Sequence, residues 1–151
     1  EGDEDAMMGI RRRFKETDQW PRLVHSDRWA DIIDRPEDDC VEIRWFDTTT
    51  HMEAEEFNEF LAAYAGHVEA CGRSGGLIDG FQFRMDFVKM DAGWRDRHII
   101  PRYNPAGLKK FAFIMPAGMP AIGAPPAPEG PAEFTTGYFA TRAEALAWFK
   151  S

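Results

Sequence analysis

Phe111-Ala112-Phe113-Ile114-Met115 is an uninterrupted apolar run with Lys110 before it and Pro116 after it. It has the length of a strand, and without polar alternation it suits a strand covered on both faces, in a sheet with helices packed against it. That places the run centrally in an α/β arrangement. A chain of 151 residues, 44% apolar and 29% charged, is long enough for one such core.

The flanking patterns agree with it. Val41-Glu42-Ile43-Arg44-Trp45-Phe46 alternates apolar with charged residues, the period of a strand with one buried face. Thr50 and Glu53 match a capping box, and Phe57, Phe60, Leu61, Tyr64, Val68 and Cys71 then form a helical stripe that Gly72 ends. Arg73-Ser74-Gly75-Gly76 reads as a turn into a strand over 77–83, with a bend at Gly80. It is no phosphate loop, because it lacks the Gly-Lys-Ser/Thr ending and precedes a strand. A helical turn or two around Trp94 is predicted to stop at Pro101, and six prolines and three glycines make 116–131 an extended loop. A strand at 136–139 and a helix capped by Thr141 and Glu144 close the chain.

Before residue 41 the pattern is sparser. Residues 1–5 form an acidic tail, and Arg11-Arg12-Arg13 reads as part of an exposed arm without function. Leu23-Val24-His25 suits an edge strand, and Asp27 ahead of Trp29, Ile32 and Ile33 suggests a short helix that Pro36 closes. The prediction is therefore an N-terminal arm over 1–40 and an α/β domain over 41–151. That domain has a small sheet with helices packed on it.

Five fragments resemble the SpoIIAA-like family, which is related in fold to the STAS domain and compared with CRAL-TRIO lipid-binding domains. They are Val41-Glu42-Ile43 with its following helix, Gly76-Leu77-Ile78-Asp79, Lys110-Phe111-Ala112-Phe113-Ile114, Gly137-Tyr138-Phe139, and Ala143-Glu144-Ala145-Leu146-Ala147-Trp148-Phe149. The resemblance implies a four- or five-stranded sheet, frequent homodimers and no settled activity. STAS antagonists carry a phosphorylatable serine just after the aspartate ending a central strand. Here Gly80 and Phe81 follow Asp79, so the kinase-switched role is not carried over.

Charge marks the candidate site. Residues 84–118 hold seven Lys/Arg against three Asp, in a chain whose net charge is −8. The acidic whole argues against nucleic acid and anionic membranes as partners, so only the local patch can recruit anions. Within it Arg84, Arg95, Arg97 and Arg102 offer two-point binding of a carboxylate or phosphate, Trp94 and Tyr103 can wall an apolar body, and Asn104 adds a polar edge. The expected occupant is an anionic amphiphile, lipid-like molecule or aromatic acid, held by a small-molecule-binding or regulatory protein. One alternative is a cofactor-independent enzyme that uses His98 or Asp86 for proton transfer. Another is an interaction module for an acidic partner. In either pocket reading the same arginines can instead pair with Asp91 and Asp96 on a solvated surface.

No metal or cofactor is assigned: Asp47, His51 and Glu55 are partial pairs without a third ligand on one element, and Cys40 and Cys71 lie too far apart for a zinc spacing. Met115, Met119 and Ile122 in and beside the proline-rich loop offer adaptable contacts for a ligand or a second subunit, and a homodimer is expected. Without an apolar run long enough for a bilayer, and without the apolar centre of a secretory signal at its start, the chain is read as cytoplasmic.

Overall fold

The computed structural model describes residues 20–151, so the acidic tail and Arg11-Arg12-Arg13 lie outside the described residues. Seven strands form one mixed sheet. They are β1 (Arg22–Ser26), β2 (Ala30–Arg35), β3 (Cys40–Trp45), β4 (Gly75–Asp79), β5 (Lys110–Ile114), β6 (Ala127–Pro128) and β7 (Thr135–Phe139). Their order is β1-β2-β3-β4-β5-β7-β6. From β3 through β4 and β5 to β7 neighbours are parallel, while β1, β2 and β6 add antiparallel edges. Helices α1 (Ala54–Cys71), α2 (Ala92–His98) and α3 (Ile100–Tyr103) precede β4 and β5, and α4 (Arg142–Phe149) ends the fold.

Seven strands replace the expected four or five because residues 22–35, read as arm, add β1 and β2, and Ala127–Pro128 of the proline-rich loop adds β6 beside β7. The predicted helix at Asp27 is a hairpin. Asp27 Oδ1 accepts from the amides of Trp29 and Ala30 at 2.7 and 3.2 Å, the bonds a helix cap would make, but Asp27 N donates back to Ala30 O at 3.1 Å and closes a turn. Ile32 then pairs with Ile43 and Ile33 with Glu42, so adjacent isoleucines serve opposite faces. The three- and four-residue spacing that suggested a helix was a by-product of this two-sided burial.

Smaller corrections share a cause: neighbours in space override local signals. Thr50 lies in a short helical turn (Asp47–His51), and α1 is capped by Glu53, whose amide donates to Glu56 Oε1 at 3.0 Å. Gly75 and Gly76 belong to β4 rather than to a turn. A Cβ on Gly76 would lie 2.3 Å from the Phe111 ring, so a side-chain-free strand position lets that ring lie across the sheet. β4 ends at Asp79, short of the predicted strand end at residue 83. Pro101 does not stop the helical segment but sits in the first turn of α3, where its missing N–H is no loss.

Each face has its own core. On one, α1 lays Phe60, Leu61, Tyr64 and Val68 against Val41, Ile43 and Phe111, and α3 adds Ile100 and Tyr103. On the other, Ala145 of α4 packs on Cys40, Leu77, Ala112 and Ile114. β5 is thus covered on both sides. Glu42, expected on a charged face of β3, is fully buried beneath Arg35 and Arg142.

Candidate functional site

The parallel strands all deliver their carboxyl ends to one rim, where open α/β sheets place their ligands. On the α1 side of that rim is a cavity of about 430 Å³, within the range typical of small-molecule sites. Ile43 and Trp45 of β3, Ile78 of β4 and Phe111 and Phe113 of β5 make its floor. Phe57 and Leu61 from the first half of α1 make one wall. Phe83, Phe87 and Met90 from the segment after β4 make another, and Met115, Pro116 and Met119 lie over it.

The rings brace one another. Trp45 lies 5.0 Å from Phe83 and 5.9 Å from Phe57 between centroids, and Phe113 stacks on Tyr138 at 5.2 Å. A charge held among such rings is screened less than one in open water.

Among the described residues two charged groups reach this wall, Asp91 and Arg95. Asp91 is turned mostly to solvent; its carboxylate accepts from the Trp94 amide at 3.3 Å and lies 3.8 Å from Arg97. Arg95 is different. Its guanidinium carbon stands 5.6 Å from the centre of the Phe111 ring, a residue only 2% exposed, and no carboxylate among the described residues lies within ion-pair distance of it. A positive charge over an aromatic face, in an apolar recess and without a counter-ion among the described residues, is ready for an anion.

The cationic segment is thereby divided. Arg95 and Tyr103 line the cavity. Arg84 donates to the carbonyls of Phe81 and Phe83, and Asp86 accepts from the Val88 amide, so both shape the turn beside the mouth. Arg97 is exposed, and His98 lies 5.2 Å from the Trp94 ring, which itself packs on the main core. Arg102 holds Glu69 through paired bonds of 2.6 and 3.0 Å. Asn104 clamps the far end of the long loop, donating to Pro131 O and accepting from the Glu133 amide. Of the loop residues singled out, Met115 and Met119 meet the cavity.

The apolar wall itself was not foreseen. Its signal was present as Phe83 and Phe87 beyond the end of β4, apolar rings in a connecting segment. A second cluster was also missed, on the α4 face. Arg142 bridges Glu42 and Asp79, and Arg35 donates to Glu42 as well. Burial alone would raise the Glu42 pKa; bonds and charge from Arg142 and then Arg35 overcome it and hold the carboxyl below the ordinary glutamate range. Its charges are mutually satisfied, which suits a structural brace.

Among the described residues no three His, Cys, Asp or Glu side chains gather as a metal site requires, and no helix is long and apolar enough to cross a membrane. Compared with known proteins, the chain matches no family model, no curated protein and no solved structure.

Proposed function

We propose that this is a small-molecule-binding or regulatory protein whose pocket takes an anion with an apolar or aromatic body. The observation that carries the reading is Arg95, without a carboxylate partner among the described residues and set against Phe111 inside an apolar cavity of about 430 Å³. Shape and apolar lining provide affinity, and the guanidinium selects charge. His98 and Asp86 do not line the cavity, so the proton-transfer alternative gains no support from their positions. The consecutive parallel strands β3, β4, β5 and β7, with helices between the first three, support kinship with the SpoIIAA-like fold. A cytoplasmic homodimer is proposed with that kinship.

Anilinonaphthalene sulfonate, an apolar anion that brightens on desolvation, tests the reading. The protein is expected to bind one equivalent saturably, and Arg95→Gln to weaken binding about tenfold, as loss of a charged hydrogen bond does. Arg102→Gln, whose guanidinium is already committed to Glu69, should leave binding unchanged. Absence of saturable binding, or equal affinity in Arg95→Gln, would sink the proposal. Native mass spectrometry of freshly purified protein reports subunit number and any retained ligand together.

A further inference from the structure

We infer that the ligand is a monocarboxylic acid that enters carboxylate first, its oxygens gripped between the Arg95 guanidinium and the Tyr103 hydroxyl. This rests on the pocket reading above and narrows it to a ligand class and an orientation.

The first ground is an unpaired hydroxyl. Two tyrosines are buried at the inner end of this core, their rings 6.1 Å apart. Tyr64 donates to the Val41 carbonyl at 2.7 Å. Tyr103 is equally hidden, 1% exposed, yet its hydroxyl meets no hydrogen-bond partner among the described residues. A buried hydroxyl without a partner is costly, and this one belongs to a side chain of the cavity wall. Burial pushes its pKa well above the usual tyrosine range, with the charge of Arg95 opposing, so at neutral pH it is a donor awaiting an acceptor.

The second ground is a shared cavity: Arg95 and Tyr103 both line it, and the Tyr103 ring centre and the Arg95 guanidinium carbon each lie 5.6 Å from the centre of the Phe111 ring. One cation and one neutral donor beside a single ring match a planar, singly charged group with two oxygens: a fork from arginine and one bond from tyrosine satisfy it. A phosphate monoester brings more charge and a third oxygen, which the apolar wall leaves unpaired. Asp91, on the same wall, further disfavours a second negative charge.

Depth gives the orientation. Phe111 and Tyr103 are 2% and 1% exposed, whereas Phe87 of the same cavity is 64% exposed. The polar grip is therefore inside and the apolar surface at the mouth, so the ligand's body points outward beneath Met119.

Calorimetric titration of the full chain with dodecanoate, dodecanol and dodecyl phosphate tests the grip. Dodecanoate is expected to bind tightest, and Tyr103→Phe, which keeps the ring, to weaken it about tenfold while changing dodecanol less than about twofold. Unchanged dodecanoate affinity in Tyr103→Phe, equal losses for acid and alcohol, or tighter binding of the phosphate would overturn the inference, while saturable dye binding would leave the pocket reading standing. The unmutated protein gives an independent arm with dansylaminoundecanoate, labelled at the end remote from its carboxylate. Iodide should quench the bound dansyl nearly as well as the free one. A shielded dansyl would overturn the inward orientation.

Discussion

Glu42 is a carboxylate placed where β3 meets the α4 face of the sheet. It sits fully buried on β3 and gathers Arg35, Arg142 and Arg44, tying strand, helix and a neighbouring strand together. Glu42→Gln leaves three arginines facing a neutral amide and should cost about 3 kcal/mol, read by denaturant unfolding. Because its folded pKa is depressed, its contribution is full above the ordinary glutamate value of 4.5 and is lost as pH falls through the lower folded value. The acid limb of the stability curve should therefore flatten in Glu42→Gln. Gly76 acts at the same scale by having no side chain. Gly76→Ala drives a methyl into Phe111, the ring beneath Arg95, and should cost about 1–3 kcal/mol as well as weakening dye binding.

Elements owe their ends to local chemistry and their faces to packing. α1 stops at Gly72, whose φ of 68° lies in the left-handed region and whose Cβ position is empty of neighbours. Gly72→Ala should therefore lose about 1–2 kcal/mol through backbone strain alone, with ligand binding intact, as thermal unfolding and dye titration would show. The long loop is held differently. Asn104 grips residues 131 and 133, and Tyr138 donates to both oxygens of Glu129 at 2.9 Å, while Met119 lies over the cavity. Asn104→Ala removes two bonds, should cost about 1–2 kcal/mol, and should raise hydrogen exchange at the Glu133 amide.

At the scale of the molecule, helices pack on both faces of the sheet, and the cavity lies on the α1 side at the carboxyl ends of the parallel strands. The apolar run at 111–115, the stripe of α1 and the Thr141 cap were legible because each is a local pattern whose period or spacing survives in three dimensions. The β2 strand was not, since Ile32 and Ile33 reveal opposite faces only when paired with β3. The candidate site was half legible: charge pointed to the segment holding Arg95 and Tyr103, but nothing local separates them from Arg97 or Arg102, which have similar neighbours along the chain. Sequence alone settled that this chain makes an α/β sheet with a cationic, ring-rich segment beside its central strands, because burial periodicity and charge are properties of residue order. Which guanidinium turns inward, which aspartate caps a turn and which aromatic rings close a cavity were decided by tertiary structure. Those outcomes depend on distances between groups far apart in the chain, and burial there strengthens an unpaired charge that water would otherwise screen.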